Sequence, residues 1–185
     1  MATFLDLVKK RSSVRSYDSR TVEQEKLENC IEAARLAPSA CNAQPWKFTI
    51  VRDTSTIQKI AAACLLPGSS MNTFVKDAPI IIAVTGESPN ITSVLGSFIK
   101  RKKLFLIDIG IAAEHFCLQA ADQELGTCML GWFNERKIKR LLSIPSRKRL
   151  YMLITLGYPK TAISETPPAK NRKPRDEMSC FEKYR

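Results

Sequence analysis

Apolar residues recur along this chain at two spacings, one typical of helices and one typical of strands. Spacings of three and four residues predict five helices, which begin near residues 3, 21, 55, 104 and 134. Thr21 with Gln24, and Ser55 with Gln58, have the spacing of a capping box at a helix start. The segment 104–124 is apolar around most of its circumference, which predicts burial in a core or at a subunit interface.

Three other segments have strand character. Residues 46–51 alternate apolar and polar positions, residues 79–85 are almost continuously apolar and β-branched, and residues 150–156 form a further apolar run. Gly126 follows the long helix and is expected in the left-handed conformation that often ends a helix. Helices and strands are intermixed without a repeat or a linker, so one domain over residues 1–185 with a layered α+β or α/β fold is expected.

Composition narrows the expected cellular location of this domain and the metal sites it could form. No apolar run approaches the roughly 18 residues that span a bilayer, and residues 1–11 lack the features of a signal peptide, so a cytoplasmic protein is expected. The six cysteines are widely spaced with no CxxC pair, which favours reduced thiols over a zinc or iron–sulfur site. With a single histidine, His115, the chain offers little for any other metal.

The net charge is +11, from 29 basic and 18 acidic residues. Such an excess of positive charge suits binding to nucleic acid, to an anionic surface or to a phosphorylated small molecule. Most of the basic runs are nevertheless expected to be solvated surface. The tail from residue 162 is charged and rich in proline, and it cannot bury a core of its own. It is therefore expected to be disordered or to wrap onto another surface.

Two stretches carry candidate chemistry. The first is a turn that could hold a phosphate between guanidinium forks and hydroxyl donors, those of Arg11, Ser12, Ser13 and Arg15. The alternative for these residues is a solvated basic turn. Residues 38–48 lie between a predicted helix and a predicted strand and have the small and amide side chains of a cofactor-site wall. The glycine-rich dinucleotide turn and the Walker loop are both absent, so a bound cofactor would carry the chemistry of an enzyme built on this chain.

A set of motifs then occurs in order along the chain. They are Arg-Ser-Ser-Val-Arg-Ser-Tyr at 11–17, Pro-Ser-Ala-Cys-Asn-Ala-Gln-Pro-Trp at 38–46, Asp-Ala-Pro at 77–79, Leu-Gly-Thr-Cys-Met-Leu-Gly at 125–131, Leu-Gly-Tyr-Pro at 156–159 and Lys-Asn-Arg at 170–172. Together, from about Leu5 to Arg175, they resemble the FMN-dependent nitroreductase family. Ser12 stands where the family usually has a basic residue, and Met129 where it often has tryptophan.

The resemblance implies a central, mostly antiparallel sheet flanked by helices, in an intertwined homodimer with an exchanged C-terminal tail. Residues 162–185 would wrap the partner subunit, and two FMN sites would lie at the interface. The phosphate and ribityl end of FMN would be held by Arg11, Ser12, Ser13, Arg15, Lys170 and Arg172. The flavin would be lined by Pro38, Ser39 and Asn42 from the partner chain. Leu130 and Gly131 would offer backbone N–H groups to its N5 and O4 edge, and Asn72 would contact the ribityl or pyrimidine part.

The implied reaction is a ping-pong transfer. NADH or NADPH gives hydride to flavin N5, and a small acceptor such as a nitroaromatic, quinone or enone then takes the electrons, with no catalytic side chain required. Two alternatives stay open: a flavin enzyme of the same fold with another outcome (a dehalogenase, an oxidase or a flavin-consuming enzyme), or a basic nucleic-acid-binding module. Cys41 and Cys128 flank the expected site, where small packing residues are a better explanation than redox thiols.

Overall fold

The computed structural model describes residues 3–65, 68, 70–87, 103–161 and 170–184. Within them the helices are α1 (Phe4–Lys10), α2 (Gln24–Arg35), α3 (Thr54–Cys64), α4 (Leu104–Asp122), α5 (Glu135–Leu141) and α6 (Arg175–Met178). The strands are β1 (Trp46–Val51), β2 (Ile80–Gly86), β3 (Gly126–Leu130) and β4 (Leu150–Gly157). Two 3-10 turns cover Ala40–Asn42 and Thr73–Asp77. Residues 86–99 are rich in Ser, Asn and Gly and weakly patterned in the sequence, and residues 88–102 lie outside the described residues.

The four strands form one sheet in the order β1-β2-β4-β3, and every neighbouring pair is antiparallel. β2 lies in the interior of this sheet, and its residues Ile80 to Thr85 are all buried. The continuous apolar run at this position therefore has the burial expected of a central strand. The predicted antiparallel sheet flanked by helices is confirmed, and the fold is α+β.

Each face of the sheet is covered by its own pair of helices. On one face Ile82 and Ile154 pack with α2 and α4, around the fully buried Phe116. On the other face Ile81 and Leu153 pack with α3 and α5. Alternate residues of each strand thus enter opposite cores, as the two-residue repeat of a strand requires.

The long apolar helix α4 serves as the main core helix on its face of the sheet. By length and composition alone its 19 residues could cross a membrane, so the expectation that no apolar run reaches that length is wrong. In the fold, 44% of the stretch is buried. Phe116 of α4 stacks on Phe48 of β1 with ring centroids 5.9 Å apart. Core packing accounts for the apolar character of its buried positions, whereas Leu106 and Ile107 are exposed in the single chain.

Two predicted helix caps are wrong. Thr21 does not cap α2, which starts after Glu23 without a side-chain cap. Arg52 instead donates to the Gln24 side chain at 2.6 Å, so that amide is used in a contact with the end of β1. At α3 the cap is Asp53, whose carboxylate accepts from the Thr56 N–H at 2.7 Å, and Ser55 lies inside the helix.

Gly126 has a different role from the one expected. The left-handed residue after α4 is Glu124, at φ 66°, and Gly126 is the first residue of β3. A Cβ at position 126 would lie 2.6 Å from Val14 Cγ2, so the glycine is required for close packing against the turn that follows α1. That packing brings a predicted phosphate-binding stretch against the edge of the sheet.

Candidate functional site

The turn at residues 11–17 is attached to β3 by its backbone. Ser13 forms an isolated parallel bridge with Thr127, and the Val14 N–H donates to the Thr127 carbonyl at 2.8 Å. Val14 fills the space left by Gly126. The stretch is therefore held along the outer edge of β3, with Ser12, Ser13 and Arg15 exposed on either side of Val14.

The buried Tyr17 hydroxyl fixes the same turn from beneath. It donates to the Val14 carbonyl at 2.9 Å and lies 2.6 Å from the Thr155 hydroxyl of β4. Thr155 in turn donates to the Cys128 carbonyl at 3.3 Å. Burial is the largest cause of the raised pKa of Tyr17, so the phenol stays neutral and available as a donor.

Positive charges from the two ends of the chain converge at this turn. The Lys170 ammonium donates to the Val8 carbonyl at 2.6 Å and to the Arg11 carbonyl. Desolvation, followed by the charges of Arg11 and Arg172, lowers the pKa of Lys170. The acidic partner in this cluster is Glu114 of α4, whose Oε1 lies 3.3 Å from Arg11 Nε. The cluster therefore carries excess positive charge, which an anion would neutralise.

Cys128 lies between these cations and the core. Burial raises the pKa of its thiol, and the nearby charges of Arg15 and Arg11 oppose that rise. A raised pKa disfavours the thiolate that a redox role would need. Cys128 therefore has the properties of a packing residue behind the cradle, by which we mean Arg11, Ser12, Ser13, Arg15, Lys170 and Arg172.

The stretch from Pro38 to Gln44 forms a separate, strained loop between α2 and β1. Cys41, Asn42 and Gln44 all have positive φ, at 53°, 52° and 44°. The loop is fixed by internal bonds, in which Ser39 Oγ accepts from the Gln44 N–H at 3.0 Å. A further bond of 3.2 Å from the Ala40 N–H to Asp108 Oδ1 ties it to α4. Non-glycine residues in this conformation are costly and often mark binding loops.

The two predicted halves of the site are not joined within one chain. Among the described residues, no hydrogen bond or ion pair links the cradle to the exposed Pro38 and Asn42 or to the half-buried Ser39. Both regions nevertheless contact α4, the cradle through Glu114 and the loop through Asp108. Their assignment to one FMN site, or to two chains, stays a prediction.

Asn72 positions the end of β3. Its side-chain amide donates to the Cys64 carbonyl at 3.2 Å and to the Trp132 carbonyl at 3.1 Å. Leu130 is buried, whereas Gly131 is exposed, and a Cβ at position 131 would meet no atom within 4 Å. The backbone at Leu130–Gly131 thus borders open space, and Asn72 holds the next residue in place.

Several residues that shape this region were not singled out from the sequence. Glu114 pairs with Arg11, and Thr127 receives the turn. Asp108 is buried on α4, and its Oδ2 has no hydrogen-bond partner among the described residues. Asp108 and Glu114 are acidic residues in the interior of an apolar helix, and that contrast was the signal available in the sequence.

Comparison with known proteins identifies the class to which this fold and site belong. Residues 8–158 match the model of the Nitroreductase family, which covers most of the chain. This chain therefore belongs to the nitroreductase family, a family of oxidoreductases, and the resemblance inferred from its motifs is confirmed.

Individual relatives agree with this family. The chain is 32% identical over 159 residues to a putative NADH dehydrogenase/NAD(P)H nitroreductase of Methanothermobacter thermautotrophicus, with 84% of this chain and 76% of that protein covered. It is 26% identical to the iodotyrosine deiodinase of Thermotoga neapolitana, with 86% and 90% covered. It superposes on an FMN-dependent nitroreductase of Clostridium difficile with a TM-score of 0.76 and 25% identity, covering 98% of this chain and all of the other.

Proposed function

We propose that this chain is an FMN-dependent NAD(P)H oxidoreductase that reduces a small oxidised acceptor such as a nitroaromatic, quinone or enone. The observation that carries the proposal is the cluster of Arg11, Lys170 and Arg172, drawn together from chain positions about 160 residues apart. Excess positive charge of this kind suits the phosphate of FMN. Open space beside Gly131 suits the close approach of a flat ring to the backbone.

Each part of the site would have a distinct task. Arg11, Ser12, Ser13, Arg15, Lys170 and Arg172 would hold the phosphate and ribityl end, while Leu130 and Gly131 would donate backbone hydrogen bonds to the ring edge. Asn72 would support that edge through Trp132. When bound, the flavin supplies the atom that accepts hydride from NADH or NADPH and returns it to the acceptor, so the two substrates react in turn.

We further propose a homodimer in which Pro38, Ser39 and Asn42 line the partner's flavin and the C-terminal tail covers the partner subunit. Large apolar side chains support this proposal because they are exposed in the single chain: Phe4 at 68%, Ile107 at 59% and Phe181 at 93%. Such an apolar surface on α1, α4 and the tail is typical of an obligate interface. The buried Cys30, Cys64, Cys117 and Cys128 are free thiols, in keeping with a reducing, cytoplasmic setting.

Phosphate recognition can be tested with two flavins. Arg172→Gln should weaken FMN binding, because a hydrogen bond to a charged group contributes about 1.5–3 kcal/mol. That corresponds to roughly a 10- to 100-fold rise in Kd. Riboflavin, which lacks the phosphate, should bind the variant and the wild type equally. Lys173→Gln removes the same charge from the neighbouring exposed residue and is the matched control.

The reaction itself is tested by absorbance spectroscopy. The purified protein should be yellow, and NADH or NADPH should bleach it under anaerobic conditions. A colourless protein that cannot be reconstituted with FMN would refute the proposal, as would a loss of riboflavin and FMN binding to the same extent in Arg172→Gln.

The dimer is tested separately. Asn42→Ala should release FMN from a protein that stays dimeric, and the same effect in a stable monomer would contradict the shared site.

Reductive dehalogenation is the second candidate reaction, and the 26% identity to an iodotyrosine deiodinase favours it. It would use the same flavin contacts, so binding experiments do not separate the two. Steady-state turnover of a nitroaromatic, a quinone and an iodinated phenol with the same enzyme sample does. Iodide release at a rate above nitro reduction would favour the dehalogenase.

A further inference from the structure

More than half of the excess positive charge of the chain lies in one short segment. Residues 135–149 contain seven basic side chains and one acidic one, a net charge of +6 within a total of +11. The segment comprises α5 and the loop that leads to β4. Ile138 buries its side chain in the core shared with α3, whereas Arg11 of the cradle contacts α4. This basic segment and the cradle therefore lie on opposite faces of the sheet.

The segment lines a half-open cavity of about 580 Å³. Its walls include four basic side chains and Ile144, with Ser146 and Glu135 beside them; the four are Arg136, Lys139, Arg140 and Arg149. Sites for small molecules typically have volumes of about 300–1,000 Å³. The cavity thus has the size of a small-molecule site, and its lining has a net charge of +3.

Two of the charged residues in the wall have structural tasks. The Lys139 ammonium donates to the Ser146 carbonyl at 2.7 Å and to the Lys148 carbonyl, which closes the loop after α5. Glu135 Oε1 accepts from the Leu150 N–H at 3.1 Å, and its Oε2 lies 3.4 Å from Arg149 Nη2. Both groups are therefore engaged in shaping the cavity and in holding it against β4.

Arg136 and Arg140 have no such task. Within residues 103–161 and the rest of the described chain, neither guanidinium has a hydrogen-bond or ion-pair partner. They are four residues apart on α5, where two like charges face each other and destabilise the helix. Two unpaired guanidinium groups beside a cavity give it donors that are free for a ligand.

We propose that this cavity is a binding site for a phosphate-bearing small molecule of nucleotide size, separate from the flavin site. The planar forks of Arg136 and Arg140 match the oxygens of phosphate in pairs, and Ile144 offers an apolar surface to the uncharged part of the ligand. The cavity volume of about 580 Å³ suits a compact ligand. The inference does not depend on the proposed oxidoreductase reaction.

The test uses the FMN-saturated protein, so that the cradle is already occupied. ATP and inorganic pyrophosphate are titrated by calorimetry into the wild type, into R136Q/R140Q and into the control K137Q/R147Q. The control removes the same two charges from the same segment at exposed residues that do not line the cavity. Saturable binding of either probe is expected in the wild type and the control, with a loss of at least about tenfold in R136Q/R140Q. FMN content should be unchanged in both variants, and the melting temperature should not fall in either.

Three results would overturn the proposal. One is the absence of saturable binding of either probe to the wild type. Another is an equal loss in R136Q/R140Q and K137Q/R147Q, which would indicate general attraction to a basic surface. The last is strong, salt-sensitive binding of random duplex DNA that R136Q/R140Q abolishes while ATP and pyrophosphate fail to compete, which would assign the segment to nucleic acid.

Discussion

Replacing Tyr17 with Phe removes one hydroxyl from beneath the cradle and leaves the ring in place. Val14 then loses the donor to its carbonyl, while Thr155 keeps an acceptor in the Cys128 carbonyl. One partly buried acceptor is left without a partner, which costs about 1–2 kcal/mol. For a chain of this length that lowers the melting temperature by about 2–8 °C.

The same substitution should loosen FMN. Val14 lies between Ser13 and Arg15, so a less ordered turn must be fixed when the phosphate binds. If the full cost appears in binding, the Kd rises by about 5- to 30-fold. The assays are thermal melting of the apoprotein, followed by a titration of FMN monitored by flavin fluorescence.

Tyr151→Phe is the matched control, because the Tyr151 hydroxyl has no hydrogen-bond partner among the described residues and its ring packs edge-on against Phe105. This variant should melt and bind FMN like the wild type. If Tyr17→Phe behaves in the same way as Tyr151→Phe in both assays, the hydroxyl does not hold the turn. The account of the cradle as a turn anchored to the sheet would then be wrong.

Three further predictions concern packing and pH. Gly126→Ala should destabilise the fold by about 1–3 kcal/mol through overpacking against Val14, and Val14→Ala in the same chain should restore most of the urea midpoint. Burial raises the pKa of Cys64 from 9.0 to about 12, so the free energy of unfolding should fall as pH rises through that range. In Cys64→Ala this fall with pH should be less steep than in the wild type, by up to about 1.4 kcal/mol per pH unit. Hydrogen bonds from Thr56 and Ser55 lower the pKa of Asp53 from 3.8 to about 2, so stability should be lost as pH falls from 3.8 to 2. In thermal melts over this pH range, Asp53→Asn should lose less stability than the wild type.

Strongly periodic elements could be predicted from the sequence because their signal is local. The alternation over β1 and the continuous apolar run of β2 correspond to strands Trp46–Val51 and Ile80–Gly86. Caps were harder, because Gln24, which was expected to complete a capping box with Thr21, is bonded to Arg52 from 28 residues away. No local pattern contains that contact.

The cradle was predictable in its parts and not in its assembly. Arg11 and Arg15 are conspicuous in one turn, and Lys170 lies in a basic tail, so both ends could be singled out. The contact between Lys170 and the Arg11 carbonyl spans 159 residues and required the fold or the family resemblance. Gly126 shows the same limit, since a glycine after a helix predicts a turn unless the side chain facing it is known.

The bridge between Ser13 and Thr127 has a second consequence, for solubility. β3 is an edge strand, and an exposed edge can pair with the edge of another molecule and start aggregation. The Val14 N–H occupies the Thr127 carbonyl, so the turn proposed to hold phosphate also blocks part of that edge. A variant that frees the turn should therefore both bind FMN more weakly and aggregate more readily. Added FMN should suppress the aggregation as it refills the site.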